Sequence, residues 1–297
     1  MARLFHIKLG DLIASATRRL KRARVYFGHG TDNAHDEAAA LALHVMKLPP
    51  DANVKVLTRR VSAAQRERFD ALLKRRIEDR VPLPYLTNES WFAGYAFYVD
   101  ERVLIPRSAI AELIERQFTP WIDPERVKNV LDMGTGSGCI ALACAKAFPK
   151  ARVVGADIDA PALEVAAINR RRLRLTGRVE LIESDHFSAL SGRSFDIIVS
   201  NPPYVGEREM RGLPREYGHE PRLALASGRD GLDSVATILR EARRFLRPQG
   251  LLVVEVGNTE RILAKAFPKL PFTWLDFERG GGGVFLLTRE QLEKAPF

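Results

Sequence analysis

Val130-Leu131-Asp132-Met133-Gly134-Thr135-Gly136-Ser137-Gly138 carries an apolar run into three alternating glycines, and a helix-forming stretch over 141–147 follows. The glycines permit a tight turn and let a ligand approach the backbone closely. A strand, a glycine turn and a helix in that order form the repeating unit of a doubly wound sheet. The chain on either side keeps the same alternation. Short apolar runs at 127–133, 151–156, 179–182, 195–200 and 251–256 suit buried strands, and helical stretches such as 141–147 and 161–175 separate most of them. From about residue 103 onward the expectation is therefore an α/β domain, with a mostly parallel sheet covered by helices on both faces. Trp274-Leu275-Asp276-Phe277 and Val284-Phe285-Leu286-Leu287, around four glycines, read as a closing antiparallel hairpin.

Working towards the N-terminus, the pattern changes. Leu9, Leu12, Ile13, Ala16 and Leu20 recur at helical spacing, as do Leu72, Leu73, Arg76 and Ile77. Asn33 is placed as an N-cap, with Asp36 in the first turn, for a helix that runs to about Lys47 and is ended by Pro49-Pro50. Pro82 and Pro84 close the third helical stretch. Trp91-Phe92-Ala93-Gly94-Tyr95-Ala96-Phe97-Tyr98-Val99 is a β-hairpin signal and is expected at the joint. The expected division is a helical domain over 1–88, a hairpin linker over 89–102 and the α/β domain over 103–297.

The bulk numbers narrow the class. A hydrophobic fraction of 46% and a charged fraction of 28% are those of a globular protein. No apolar run reaches the roughly 18 residues of a membrane helix. Met1-Ala2-Arg3-Leu4-Phe5-His6-Ile7-Lys8 lacks the apolar core of a leader peptide. Cys139 and Cys144 are too few for a disulfide framework, and their spacing on a helix points them to different faces. A cytoplasmic enzyme is expected, with no metal site assigned, no internal repeat and no low-complexity segment. Residues 1–88 hold 17 Lys and Arg against 9 Asp and Glu, so +8 of the chain's +9 lies in that third. Arg18-Arg19-Leu20-Lys21-Arg22-Ala23-Arg24 belongs to it. Such a patch suits RNA or a ribonucleoprotein, and equally a solvated helix face.

Gly134, Gly136 and Gly138 alone would also suit a dinucleotide, and three features sharpen the reading. Asp132 sits just before the turn, where a cationic ligand with an amino-acid end is welcome and a pyrophosphate is repelled. Asp157 ends the next strand and is placed to accept from two ribose hydroxyls. Asp185, with an aromatic ring in Ser184-Asp185-His186-Phe187, follows the third strand, where an adenine would lie. Together they describe an S-adenosylmethionine pocket. Asp159 reads as a helix cap and His186 as a loop residue.

The fourth strand runs into Asn201-Pro202-Pro203-Tyr204. Two prolines fix φ and remove two donors, which leaves a stiff loop rich in acceptors. The Asn201 side-chain oxygen and the Pro202 carbonyl can accept both hydrogens of a substrate NH₂, and Tyr204 can lie against a planar group. That arrangement answers a specific difficulty, because an amide nitrogen has its lone pair delocalised. Accepting both N–H bonds moves density back towards nitrogen and aims it at the methyl. A proline-rich turn with no catalytic duty is the alternative reading. Asn201 is also placed among the cofactor contacts.

These motifs resemble the class I methyltransferases that act on exocyclic amino or amide nitrogens. Val103-Leu104-Ile105-Pro106-Arg107 and His219-Glu220-Pro221-Arg222-Leu223-Ala224-Leu225 resemble the protein-(glutamine-N5) methyltransferases in particular. That resemblance implies a doubly wound, mostly parallel seven-stranded sheet, with a small helical domain that recognises the protein substrate. It implies substrate contacts for Arg107 and Glu220 beside Asn201, Pro202, Pro203 and Tyr204. It also implies S-adenosyl-L-methionine as cofactor and S-adenosyl-L-homocysteine as product. Tyr26-Phe27-Gly28-His29-Gly30-Thr31-Asp32-Asn33-Ala34 and Tyr85-Leu86-Thr87-Asn88-Glu89-Ser90-Trp91-Phe92 resemble the branch whose target is a glutamine of large ribosomal subunit protein three. The implied partners are that protein or a ribosomal assembly intermediate, with rRNA contact through the basic domain and no membrane. The other branch acts on peptide chain release factors. A DNA adenine-N6 or rRNA guanine-N2 methyltransferase and a non-catalytic assembly factor are the rival classes.

Overall fold

The computed structural model describes residues 7–294, so Met1–His6 of the stretch read for a leader lies outside the described residues. The chain divides into two compact units. One holds the chain up to Glu89 together with Pro214–His219, and the other holds Ser90–Leu213 and Glu220 onward.

The first unit is helical. Helices α1 (Leu9–Ala23) and α2 (Ala34–Met46) pack along each other, and α3 (Ala63–Lys74) runs on into a π turn, Arg75–Asp79, before the short α4 (Leu83–Thr87). Asn33 caps α2 as expected, its side chain accepting from the His35 and Asp36 amides. Ser62 and Gln65 form a reciprocal capping box at α3. Leu9, Leu12, Ile13, Ala16 and Leu20 turn one stripe of α1 into the core, against Ala38, Leu41 and Val45 of α2 and Phe69 and Leu73 of α3.

Arg76, read from its spacing as part of an apolar stripe, is an ionic core instead. Its side chain is 2% exposed, and Nε donates to Glu37 at 2.5 Å while Nη1 donates to Glu216 at 3.1 Å. The Tyr26 carbonyl accepts from Nη2, and the Tyr26 amide donates to Glu216. Burial pushes the Glu216 carboxyl up, but the amide and the guanidinium outweigh it and hold it below the usual carboxylate range. Tyr217 stacks obliquely on His29, with ring centroids 4.6 Å apart. This network accounts for a segment more than a hundred residues from α4 belonging to the N-terminal unit.

The second unit opens on the hairpin β1 (Ser90–Phe92) and β2 (Tyr95–Phe97). Phe92 and Phe97 enter the sheet's core with Ile110 and Ile114 of α5 (Ile110–Glu115), so the hairpin expected as a linker is part of this unit. Then follow β3 (Asn129–Met133), α6 (Cys139–Ala147), β4 (Arg152–Asp157), α7 (Ala160–Arg172), β5 (Val179–Glu183), β6 (Phe195–Ser200) and the short α8 (Glu207–Met210). The chain closes with α9 (Asp233–Glu241), β7 (Leu246–Glu255), α10 (Glu260–Ala266), β8 (Thr273–Leu275), β9 (Val284–Thr288) and α11 (Arg289–Glu293).

The sheet order is β5-β4-β3-β6-β7-β9-β8, parallel through β7 and antiparallel for the last two pairs. This is the expected seven-stranded, doubly wound sheet. Val130, Val153, Ile197 and Val199 face α5 and α6, whereas Leu131, Val154, Ile198 and Leu252 face Val235, Ile238 and Leu239 of α9. Period-two burial on both faces explains why the strands read as continuous apolar runs. The chain enters at the centre, winds out to β5, then returns to β6, so the strand order reverses between β3 and β6. No helix among the described residues is long and apolar enough to cross a membrane.

Removing one member of a buried ion pair leaves the other charge unpaired at a cost of about 3–5 kcal/mol, more than replacing the whole set by apolar groups. R76A is expected to lose that much in the unfolding of the N-terminal unit by urea, and R76M/E37M/E216M much less. Equal losses would show that the charges are not what the single change leaves exposed.

Candidate active site

The C-terminal ends of β3, β4, β5 and β6 surround a cavity of about 360 Å³ within the second unit. The glycine turn forms its floor. Gly134 and Thr135 amides both donate to the Ala156 carbonyl (2.8 and 3.0 Å), and the Gly136 amide donates to Asp157 Oδ2 at 2.7 Å. Gly134 and Gly136 have φ of +72° and +52°, and a Cβ added to either would meet nothing. Both line the cavity, as the sequence implied. Gly138 does not: its φ is +80° and an added Cβ would come within 3.1 Å of Ala166, so this glycine lets α6 approach α7.

Asp132 lies beneath the turn, fully buried, and is not among the cavity-lining residues. Its Oδ2 accepts from Thr135 Oγ1 (2.6 Å) and the Ala141 amide (2.9 Å), which bends the strand end into α6. Oδ1 has no hydrogen-bond partner among the described residues. Desolvation pushes its pKa up to about 7 against the pull of those two donors. Asp132 thus supports the turn and does not itself line the cavity.

Asp157 does line the cavity. Its oxygens accept from the Gly136 and Asp159 amides, and burial raises its pKa despite them. Asp159 caps α7 through the Ala162 amide, as expected. Asp185 and His186 line the wall, and both imidazole nitrogens are occupied, by Asp185 at 2.7 Å and Ser234 at 2.9 Å. Phe187 does not face the cavity. It is buried and stacked on Phe245, with centroids 4.5 Å apart, so the aromatic ring expected at this corner belongs to the core.

Asn201, Pro202 and Pro203 line the opposite wall. Ser200 donates to the Met133 carbonyl at 2.7 Å and ties this strand end to β3. Asn201 Oδ1 is buried with no hydrogen-bond partner among the described residues. An amide oxygen so placed has lost water without gaining a donor, which costs about 1–3 kcal/mol.

Tyr204, Arg107 and Glu220 are absent from the lining. The Tyr204 hydroxyl bonds the buried Glu255 carboxylate, and its ring lies so near Gly257 that an added Cβ would stand 2.7 Å from it. Burial holds the Glu255 carboxyl above its ordinary range. Arg107 and Glu220 satisfy each other in a two-pronged pair (2.5 and 2.8 Å), and Glu220 also accepts from the Ile105 amide at 3.1 Å. The Glu220 side chain is fully buried, and the pair shapes the loop. None of the three residues read as substrate contacts lines the cavity in this structure.

Sequence reasoning missed Ile158, half exposed in the cavity, and Leu223, Ser227 and Thr237, which complete its outer wall. Ile158 had a signal, an apolar side chain directly after the strand-ending carboxylate. No metal-holding group of His, Cys, Asp or Glu occurs among the described residues.

Two family models match this chain, the "Methyltransferase small domain" over residues 116–213 and the "PrmC N-terminal domain" over residues 11–87. A protein of Neisseria meningitidis serogroup B called ribosomal protein uL3 glutamine methyltransferase is 48% identical over 95% of this chain and 93% of its own. Proteins of the same name from Bordetella pertussis (48%, 96% of each chain) and Xanthomonas campestris pv. campestris (47%, 95% of this chain and 91% of its own) align equally fully. Among solved structures, the catalytic domain of hMettl16 in complex with an RNA hairpin superposes with a TM-score of 0.53 at 16% identity, covering 84% of this chain and 91% of that one. That likeness concerns the fold.

Asp132 supplies a pH test. Its pKa near 7 in the fold exceeds the ordinary 3.8, so the folded chain keeps a proton that the unfolded chain has released. Burial therefore costs stability that grows from about pH 4 to about pH 7 and then stays constant. D132N carries no such cost. Urea titrations should show it gaining on wild type by about 1.4 kcal/mol per pH unit between pH 5 and 7. Parallel pH profiles would contradict the buried-carboxylate account.

Proposed function

The chain belongs to the family of ribosomal protein uL3 glutamine methyltransferases, and on that premise we propose that it methylates the N5 side-chain amide of a glutamine in large ribosomal subunit protein three. The observation that carries the chemistry is the buried, partnerless Oδ1 of Asn201 in the cavity wall. An acceptor already stripped of water gains most from a substrate N–H, and it needs no reorganisation when charge develops on nitrogen.

The methyl donor is S-adenosylmethionine, which supplies an electrophilic methyl on sulfur and leaves as S-adenosylhomocysteine. The cavity's residues fit it. Gly134 and Gly136 leave open space where any side chain would intrude. Asp157, Asp185 and Ile158 line the cavity, where Asp157 would accept from the ribose hydroxyls, Asp185 would accept from the adenine amino group, and Ile158 would give the base an apolar face. Asp132 holds the turn from beneath through Thr135 and Ala141.

Asn201 Oδ1 and the Pro202 carbonyl accept the two amide hydrogens of the glutamine. They fix the nitrogen's direction and raise its electron density. Pro203 keeps the loop from yielding, and Tyr204 holds it through Glu255. As the N–CH₃ bond forms, the nitrogen acquires positive charge and one of its protons becomes acidic enough to leave to water. No dedicated base is required beforehand.

The N-terminal unit is assigned the recognition of the substrate in its ribosomal setting. Ribosomal proteins are themselves basic, so a net of +8 over residues 1–88 does not serve to attract one in free form. It serves better against rRNA in an assembly intermediate, where phosphate contacts lose affinity steeply with salt. Methylation of the precursor particle is expected to fall with rising salt while that of free protein does not. Equal, salt-insensitive rates would sink the rRNA assignment.

N201A is expected to lower kcat on this ribosomal protein by roughly 10²–10³, with S-adenosylmethionine affinity changed less than about threefold. Mass spectrometry of the wild-type product should place the methyl on glutamine. Labelling of a release factor or of rRNA in its place would redirect the substrate, and full activity in N201A would remove the acceptor mechanism.

A further inference from the structure

At the other end of the same strands lies a second cavity, about 460 Å³, which the methyl-transfer chemistry does not use. It is lined by residues at the N-terminal ends of β3, β4, β5 and β6, whereas the active-site cavity takes their C-terminal ends. Five arginines face it, Arg152, Arg170, Arg178, Arg193 and Arg247, against one carboxylate, Glu180. The imbalance is local. Residues 89–297 carry a net charge of only +1, so general basicity does not account for it.

The five are not alike. Arg193 is neutralised by Glu180 in a two-pronged pair (2.7 and 2.8 Å). Arg247 donates to Ser194 and, from both η nitrogens, to the Asn129 side-chain oxygen (2.8 and 2.9 Å), and it reaches Asp196 at 3.5 Å, so its fork is already occupied. Arg178 spends Nη1 on the Phe148 and Pro149 carbonyls, which fix its direction without cancelling its charge. Arg170 donates from Nη1 to the Val179 carbonyl, and its buried Nε has no partner. Arg152 is exposed and makes no ion pair or side-chain hydrogen bond with a described residue. At the rim, a Cβ on Gly177 or Gly192 would meet nothing, so the backbone can be approached closely there.

We propose that this cavity is a phosphate-binding site, holding adjacent phosphate groups of an RNA backbone or of a free polyphosphate on Arg152, Arg170 and Arg178. Guanidinium forks match phosphate oxygens in pairs. Convergent positive charge in a concave surface focuses the field on an incoming anion. The volume lies within the roughly 300–1,000 Å³ of ordinary ligand pockets. The site is independent of which glutamine is methylated.

Binding of tripolyphosphate and of a short RNA duplex to the full chain tests it, by calorimetry and by fluorescence anisotropy over a salt series. In R152E/R178E at least one of the two affinities is expected to fall tenfold or more. The RNA salt slope should shrink by about 2 if two phosphate contacts go. S-adenosylmethionine affinity should stay within about twofold, which also certifies the fold. Loss confined to RNA identifies a backbone site, and loss confined to tripolyphosphate a small-anion site. Should the double variant fold poorly, R152E alone, at an exposed side chain, is expected to give about a threefold loss. Failure of wild type to bind either probe overturns the proposal. So do unchanged affinities for both probes in R152E/R178E, with RNA binding lost instead on R18E/R22E in the N-terminal unit.

Discussion

A carboxylate sealed beneath the glycine turn is the constraint on which this site depends. Asp132 has no solvent exposure, and its Oδ2 draws in both the Thr135 hydroxyl and the Ala141 amide. Those two bonds turn β3 into α6 within a few residues and present Gly134 and Gly136 to the cavity. Burying the charge is unfavourable, as its raised pKa records. In return it satisfies the Ala141 amide, one of the unpaired donors in the first turn of α6. Asp157 then fastens the turn from the side through Gly136, and the first two strand ends become one rigid floor.

Rigidity on the opposite wall is built by different means. Asn201-Pro202-Pro203 gets stiffness from its prolines, but position comes from Tyr204 on Glu255 and Gly257. Farther along, Glu220 fastens the chain to Arg107 and Ile105 within the α/β unit. Four residues earlier, Glu216 belongs with Arg76 in the helical unit. Each unit thus fixes its own part of this stretch with a buried carboxylate on arginine. An acceptor held this firmly can aim an amide nitrogen with little loss of orientation.

Much of this was legible in the residues, and the failures share a cause. The mostly parallel sheet followed from the alternation of apolar runs and helical stretches, though the order of its strands did not. Gly134, Gly136, Asp157, Asp185 and Asn201 do line one cavity, since each sits at a strand end where a doubly wound sheet opens. Arg107, Glu220 and Tyr204 lie off the cavity wall with partners of their own, which sequence does not reveal for a polar side chain. Phe187 failed in the same way, its ring being taken by Phe245. Arg76 shows the converse: helical spacing marked it as inward-facing, but its partner Glu216 lies 140 residues away. The recruitment of Pro214–His219 into the helical unit leaves no local signature for that reason.

The two cavities divide the sheet electrostatically, and their separation has a physical rationale. The active site handles a sulfonium donor and a nitrogen that becomes positive, so cations nearby would oppose both binding and transfer. Its lining accordingly carries Asp157, Asp159, Asp185 and Asp233, with Arg102 as its counterweight. A five-residue strand at about 3.3 Å per residue separates the two ends by roughly 15 Å. That exceeds the Debye length of about 8 Å at physiological salt. The arginines can therefore hold phosphate at one end of the strands without repelling the cationic cofactor at the other, which is what an enzyme would need if it must grip an anionic surface while methylating a neutral amide.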